Sequence, residues 1–176
     1  MEKLQKDYDV DIHWRSFLLR PPGSPPMSPE RRAQLEASRP LFQKRVREQY
    51  GLEINAGPLG TNSRPALVVE KYAESQGKGS AFHDAVMYAY WQQARSIGNL
   101  DVLKEITESV GLNTENFASL LENPQFNAEV DDDIALANEY GLDGVPALVF
   151  DKKYLVVGAQ PYDVLKRVVE RVQREN

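Results

Sequence analysis

The chain has 176 residues, enough for one compact domain with a sizeable core, and its 21 basic and 26 acidic residues give a formal charge of −5. That balance argues against a nucleic-acid partner, and no apolar run approaches the roughly 20 residues that cross a bilayer. Cysteine is absent, which excludes dithiol exchange, because the exchange needs an attacking thiolate and a second, resolving sulfur. The amino terminus lacks the apolar core of a signal peptide, so we expect a cytoplasmic protein without membrane contact.

The first apolar pattern lies between Asp9 and Leu19. Residues 1–7 are mostly polar and correspond at most to the last turn of a helix. The next residues alternate, with Val10, Ile12, Trp14 and Leu18 on one face and Asp9, Asp11, His13 and Arg15 on the other. Such alternation predicts a strand, and its polar face is more typical of the edge of a sheet than of its centre.

A proline-rich stretch from Arg20 to Pro29 follows. Its members are Pro21, Pro22, Gly23, Pro25, Pro26 and Pro29. They predict a stiff loop that joins two parts of the chain, in preference to a proline-rich recognition ligand. Ser28 is predicted to cap a helix that runs to Tyr50, and Pro40 is predicted to break or kink it, so that Ser38 caps the second piece.

The chain from residue 62 to residue 140 has helical periodicity throughout. The predicted helices begin at Asn62–Pro65, at Ser80, at Asp101, after a Thr114 cap and at Pro124. The helix Ser80–Ile97 should be the most buried of these, because Phe82, Val86 and Tyr90 recur every four residues and alanines widen the stripe. In the last helix, Phe126, Val130, Ile134 and Ala137 form the inner face, and Asp131–Asp133 is interpreted as a solvated face.

Two short β-rich runs lie near the carboxyl terminus. Ala147–Phe150 and the run that follows Asp151-Lys152-Lys153 predict a tight antiparallel hairpin. Pro146 precedes the first strand, where its missing N–H is tolerated. The stretch Tyr162–Gln173 predicts an amphipathic final helix, with Pro161 at its first position.

None of these segments carries a recognisable catalytic or metal-binding motif. His13 and His83 are the only histidines and have no paired spacing, so surface histidines are the preferred interpretation. Asp131–Asp133 lacks the alternating ligands and the glycine turn of a calcium loop. No glycine-rich phosphate loop follows a strand. We therefore assign no catalytic residue, no metal ligand and no cofactor.

Three motifs resemble the DsbA-like thioredoxin-fold oxidoreductases, specifically their FrnE type. They are Trp14-Arg15-Ser16-Phe17-Leu18-Leu19-Arg20-Pro21, the turn Gly144-Val145-Pro146, and Gly158-Ala159-Gln160-Pro161. The resemblance implies an α/β fold with a thioredoxin-like sheet. Residues 1–22 and 140–176 would form the thioredoxin-like half, and residues 23–139 an inserted helical lobe. It also implies a cis Val145–Pro146 peptide and a substrate groove formed by Gly144, Val145, Pro146 and Ala147.

The amino-terminal part of the family's fold has no counterpart in this chain. In the family, a first strand ends in a Cys-x-x-Cys turn that opens a helix, and this chain begins where that helix would be ending. The resemblance implies that the absent strand would lie between the Val10 and Ala147 strands. We therefore expect these two strands either to pair with each other or to be completed by a second copy of the chain.

Three functions stay open from the sequence. The first is a FrnE-type thiol-disulfide oxidoreductase represented by a chain that lacks its start and is redox-inactive as it stands. The second is a redox-inactive thioredoxin-fold module that binds an extended peptide or a partner protein. The third is a relative of glutathione-dependent isomerases or transferases, which hold glutathione in the same groove and work without cysteine.

Overall fold

The computed structural model describes residues 1–21 and 23–175, and this part is mostly helical with one small antiparallel sheet. Its helices are α1 (Glu2–Asp7), α2 (Pro29–Tyr50), α3 (Arg64–Ser75), α4 (Gly79–Trp91), α5 (Leu100–Ser109), α6 (Phe117–Leu121), α7 (Pro124–Glu139) and α8 (Tyr162–Glu175), and its strands are β1 (Ala147–Phe150) and β2 (Tyr154–Val157). Of the helices described, none is both long and apolar enough to span a membrane. The predicted sheet is thus present only as a two-stranded hairpin.

The chain divides into two compact units. One comprises Met1–Leu19 with the chain from Asp132 on, and the other is Arg20–Asp131. The sequence placed the boundaries at residues 22 and 139, and residue 22 lies outside the described residues, as does residue 176. The two units are defined by contacts between residues. The predicted division into a thioredoxin-like half and a helical lobe is a different statement and stays a prediction.

The core of Arg20–Asp131 is centred on α3. This helix buries five residues, whereas α4 buries only Phe82 and Ala89. The core cluster consists of Ala66, Val69, Ala73, Phe82, Ala89, Leu103, Ile106, Leu112 and Phe117. The prediction that α4 is the most buried helix is therefore wrong. Its apolar residues are numerous, but Met87 and Tyr88 are about half exposed, at 45% and 51%.

Helix α4 also ends earlier than its pattern predicts, at Trp91 instead of Ile97. The loop before α3 pairs with its last turn, because the amides of Asn55 and Gly57 donate to the carbonyls of Trp91 and Tyr90, both at 2.7 Å. Ala94 then turns into the left-handed region, with φ 57°, and donates to Asn55 O. The stop is set by a neighbouring loop, which periodicity within the helix does not reveal.

Two further expectations on helix ends are wrong. Pro40 does not divide the helix after Ser28, which runs as α2 from Pro29 to Tyr50, and the Ser38 hydroxyl donates to Leu35 O instead of capping a second piece. Pro40 is exposed, so water can reach the carbonyl that its missing N–H would have bonded. Helix α6 starts at Phe117, three residues beyond Thr114, whose hydroxyl bonds to Glu108.

In the other unit, the hairpin and the final helix are confirmed. β1 and β2 pair in the register Ala147↔Val157 to Phe150↔Tyr154, and α8 packs against β1. The turn closes with Lys153 N donating to Phe150 O at 3.0 Å, with Asp151 and Lys152 both at positive φ. Pro161 lies one residue before α8.

The predicted strand Asp9–Leu19 is not a strand. The segment alternates in burial at first, with Val10 and Ile12 half-buried and the residues between them exposed, but it pairs with neither β1 nor β2. Alternation records which side chains face a core, whereas a strand also requires a hydrogen-bonded neighbour. Here the backbone amide of Ser16 donates to the Asp133 carboxylate instead. The expected pairing between the Val10 and Ala147 segments is thus absent.

Candidate functional site

The four residues predicted to form the groove lie together where the chain enters β1. The Val145–Pro146 peptide is cis, as the resemblance implied, and Gly158 N donates to Pro146 O at 2.8 Å. Val145 and Pro146 are exposed, whereas Gly144 and Ala147 are half-buried. The geometry brings these residues to one accessible edge, and their role in binding stays a prediction.

The pairing of β1 with β2 determines which backbone N–H and C=O groups of β1 point away from the hairpin. In an antiparallel ladder, residues that exchange hydrogen bonds with the neighbouring strand alternate with residues whose N–H and C=O point away. Pro146 belongs to a bonded pair with Gly158, and the register continues this pairing to Leu148. The N–H and C=O groups of Ala147 and Val149 therefore point to the opposite edge of β1, which carries no strand in the described part of the chain.

Side chains on one face of the hairpin are apolar and exposed. They are Val145 (55% exposed), Val149 (40%), Leu155 (45%) and Val157 (51%). The other face, with Leu148 and Val156, is half-buried. An edge with free donors and acceptors beside an apolar face is the arrangement that binds an extended peptide by strand addition.

A buried carboxylate anchors the segment before the proline-rich loop. Asp133 is 4% exposed, and its Oδ2 accepts from Ser16 N at 2.9 Å while its Oδ1 accepts from Arg15 Nη1 at 3.0 Å. The interpretation of Asp131–Asp133 as a wholly solvated face is therefore wrong for Asp133. A signal was present in the sequence, because Asp133 follows Val130 by three residues and precedes Ala137 by four, which places it on the buried stripe.

An open cavity of about 400 Å³ lies beside this carboxylate. Its lining residues are Arg15, Asp132, Asp133, Ala135, Leu136 and Glu139, and we call it the acidic groove. Arg15 is paired with Asp133, and in the described part of the chain neither Asp132 nor Glu139 has an ion pair. The groove therefore presents two carboxylates, on either side of Ala135 and Leu136.

Helix α1 is fixed to α8 by contacts of two tyrosines. Tyr162 donates to Asp7 Oδ2 and carries Lys3 Nζ over its ring at 4.2 Å, and Tyr8 donates to Glu170 Oε1 at 3.0 Å. The hydrogen bond to Asp7, with a smaller contribution from desolvation, raises the pKa of Tyr162 to about 12. Desolvation and then the bond to Glu170 raise the pKa of Tyr8 as well. Both tyrosines act as structural donors.

The histidines do not form a site. His13 is exposed as predicted, but His83 is not a surface histidine, since its Nδ1 lies 2.8 Å from Glu70 Oε1 and its side chain is 17% exposed. Across residues 1–21 and 23–175, no group of three His, Asp or Glu residues is placed to hold a metal ion. With no cysteine in the sequence, the arrangement offers binding surfaces and no dithiol chemistry.

Two known proteins are similar to this chain. The chain is 26% identical over 177 residues to the uncharacterized protein YwbO of Bacillus subtilis, covering 99% of this chain and 88% of the relative. It is 25% identical to the probable DsbA oxidoreductase of Streptomyces coelicolor, with a TM-score of 0.70 over 85% of this chain and 64% of that one. It thus spans less than two thirds of the Streptomyces protein.

A 2-hydroxychromene-2-carboxylate isomerase is also similar in structure, with a TM-score of 0.77 and 21% identity, over 99% of this chain and 87% of that one. At that identity the likeness concerns the fold alone. The family profile of the DSBA-like thioredoxin domain matches residues 1–170. From its first helix to the last turns of α8, the chain therefore belongs to the DSBA-like thioredoxin domain family.

Proposed function

We propose that this protein is a redox-inactive DsbA-like protein that binds extended polypeptide along the free edge of β1. The observation that carries the proposal is that the backbone N–H and C=O groups of Ala147 and Val149 point away from β2, next to the accessible Val145–Pro146 peptide. Such an edge supplies main-chain hydrogen bonds to any sequence, and its side-chain neighbours set the preference. Those neighbours are apolar, so segments with alternate apolar side chains should bind best.

Because the chain has no cysteine, it cannot exchange disulfides with a polypeptide that it binds. Without a thiolate the chain cannot attack a disulfide, and without a second sulfur it cannot release a mixed disulfide. The likeness to the FrnE type is part of the proposal and is supported by Trp14-Arg15 and by Gly158-Ala159-Gln160-Pro161. The expected result of an insulin-reduction assay is a rate no higher than background.

Proline substitution tests the binding edge. Val149→Pro removes an N–H that points away from β2, and a proline on a sheet edge is tolerated where no ladder bond is lost. Leu155→Pro is the matched control, because Leu155 opposes Val149 in the register and its N–H points to the far edge of β2. The probe is reduced, carboxymethylated α-lactalbumin, a permanently unfolded chain, with binding measured by fluorescence anisotropy.

We expect Val149→Pro to weaken binding of the probe about tenfold, equivalent to about 1.4 kcal/mol for a lost main-chain hydrogen bond. Leu155→Pro removes an apolar side chain of the same face but no N–H of the β1 edge, and it should weaken binding clearly less. Circular dichroism establishes that both variants are folded. Equal binding by the two variants would refute the assignment of the site to the β1 edge.

Glutathione is a second candidate occupant of the same edge, because the sequence resemblance leaves open a relative of the glutathione-dependent isomerases or transferases. As a short extended peptide it could use the same outward groups of Ala147 and Val149. Its binding would raise the melting temperature of the wild-type protein and not that of Val149→Pro. An unchanged wild-type melting temperature at millimolar glutathione would exclude it.

A second copy of the chain is the remaining candidate for this edge. Sheet completion of this kind would make the molar mass rise with concentration, and Val149→Pro would abolish the rise. A molar mass that stays at one copy in the wild-type protein would exclude it.

A further inference from the structure

Backbone hydrogen bonds hold the connection from α7 to β1 at its two ends. At its start, Leu142 N donates to Ala137 O at 2.9 Å, which closes the carboxyl end of α7. At its end, Pro146 O accepts from Gly158 N at 2.8 Å, which begins the pairing of the hairpin. The residues between these two bonds, 143–145, belong to no helix or strand, and we call them the entry segment. The chain therefore reaches the candidate binding edge through three residues that no regular element fixes.

The entry segment contains the dipeptide Asp143-Gly144. Asp143 is the only aspartate or asparagine in the sequence that precedes a glycine. Its side chain is exposed, and a Cβ added at Gly144 would meet no atom within 4 Å. In the part of the chain that the structure describes, neither the Asp143 carboxylate nor the Gly144 N–H has a hydrogen-bond or ion-pair partner. A free carboxyl group thus precedes a free and unhindered amide.

One intramolecular reaction needs these two groups. The Gly144 nitrogen attacks Cγ of Asp143, the N–C bond forms, and the carboxyl oxygen leaves as water with the amide proton, which closes a five-membered succinimide. Water then adds to the main-chain carbonyl carbon of residue 143 and breaks its bond to the Gly144 nitrogen. The chain now runs through Cβ and Cγ, and the former carbonyl is a carboxylate. The net change is an isomerisation of aspartate to isoaspartate, and glycine favours it because no Cβ restricts the approach of the nitrogen.

The fold restrains the other sites at which a small residue follows. Asp84 and Asn127 precede alanines within α4 and α7, where the helix fixes the backbone angles. Asn62 precedes a serine, and its Oδ1 accepts from a backbone amide at 3.1 Å. Asn55 precedes an alanine, and its own amide bonds to the last turn of α4. The structure therefore leaves Asp143 as the site at which ring closure meets least resistance.

We propose that Asp143 rearranges to isoaspartate in the folded protein, and that the product loosens the entry to β1. The rearrangement places Cβ in the main chain and so lengthens the entry segment by one carbon–carbon bond, about 1.5 Å. Because Leu142 and Pro146 are both bonded to neighbouring elements, Gly144 and Val145 must take up the extra length. The carbonyl that receives the Gly158 N–H lies directly after them.

The consequence for binding rests on the proposed function. Val145 and Pro146 lie beside the outward backbone groups of Ala147, so a displaced entry segment disturbs the edge that a bound polypeptide would use. Isoaspartate at residue 143 then weakens polypeptide binding. Asp143 would thereby limit how long each molecule keeps its binding edge.

Ageing of the purified full chain at physiological temperature tests the chemical step. The readout is methyl transfer from S-adenosylmethionine by a protein-isoaspartate methyltransferase, and peptide mapping locates the modified residue. We expect isoaspartate to accumulate at Asp143 and not at Asp84, the control site within a helix. Asp143→Glu should stop the accumulation, because the longer side chain would have to close a six-membered ring. Gly144→Ala should slow it several-fold, because the added Cβ hinders the attack.

Amide hydrogen exchange measures the effect on the hairpin without any ligand. The Gly158 amide should exchange faster in aged than in fresh wild type, and aged Asp143→Glu should match fresh wild type. Binding of carboxymethylated α-lactalbumin should fall in proportion to the isoaspartate fraction. If fresh wild type does not bind this probe, the proposed function fails, whereas exchange at Gly158 still decides whether isoaspartate loosens β1.

Three results would overturn the proposal. They are isoaspartate that is no more frequent at Asp143 than at Asp84, equal accumulation in wild type and Asp143→Glu, and unchanged exchange at Gly158 in a sample that is mostly isoaspartate at residue 143. Full binding of the probe by that sample would overturn the consequence for binding.

Discussion

Asp133 should be the residue on which the position of Asp9–Leu19 depends. This segment has no strand partner among β1 and β2, and the buried carboxylate of Asp133 accepts from Ser16 N and from Arg15. Asp133→Ala removes both acceptors and leaves the Ser16 amide buried, since Ser16 is 3% exposed. The nearest carboxylate in sequence, Asp132, is exposed and serves as the control.

The expected loss follows from the two contacts. A buried donor left without an acceptor costs about 1–3 kcal/mol. The Arg15 side chain is 63% exposed, so its ion pair contributes at most about 1 kcal/mol. The free energy of unfolding should therefore fall by about 1–4 kcal/mol, which in a protein of this size lowers the melting temperature by roughly 3–15 °C. Asp133→Asn retains one acceptor for Ser16 and should lose less.

Urea unfolding and amide hydrogen exchange measure the effect. We expect Asp133→Ala to lower the urea midpoint and to speed exchange at Ser16, while Asp132→Ala changes the free energy of unfolding by no more than about 0.5 kcal/mol. Arg15→Ala should lose less than about 1 kcal/mol. Equal midpoints for Asp133→Ala and Asp132→Ala, with Ser16 still protected, would refute the reasoning.

Two further predictions concern the hairpin and α8. Lys152→Gly should raise the free energy of unfolding by about 0.5–1 kcal/mol, because Lys152 has φ 54° and glycine adopts this region without the steric penalty of a Cβ. A thermal midpoint that is unchanged or lower than that of the wild type would contradict this prediction. The Tyr162 pKa of about 12 exceeds the usual 10, so its bond to Asp7 stabilises the fold below about pH 10 and is lost as the pH rises through about 12. The ultraviolet titration difference between wild type and Tyr162→Phe should have its midpoint near 12, and a midpoint near 10 would argue against the bond.

Several elements were predictable because their signals are local. The hairpin β1–β2 follows from two β-rich runs and a three-residue turn, and the cis peptide at Pro146 follows from the family resemblance. The stripe of α7 is confirmed, with Phe126 and Val130 buried. These features depend on residues within a few positions of each other, which a single sequence displays.

The misassigned elements depend on distant partners. Asp9–Leu19 has the period of a strand, but pairing requires a neighbour, and its Ser16 amide bonds to Asp133, 117 residues away. Helix α4 stops at Trp91 because Asn55 and Gly57 occupy its last carbonyls. In the candidate site, Gly144, Val145, Pro146 and Ala147 could be named from the sequence, whereas the acidic groove could not.

The sequence by itself determined that these 176 residues supply no dithiol, since that follows from a residue count, and that a hairpin precedes a final amphipathic helix. Tertiary structure alone decided which backbone groups of β1 stay free, which aspartate is buried and where α4 ends. Periodicity records the side chains that avoid water. Hydrogen-bond pairing and burial of charge depend on which remote segments meet, and only the folded chain establishes that.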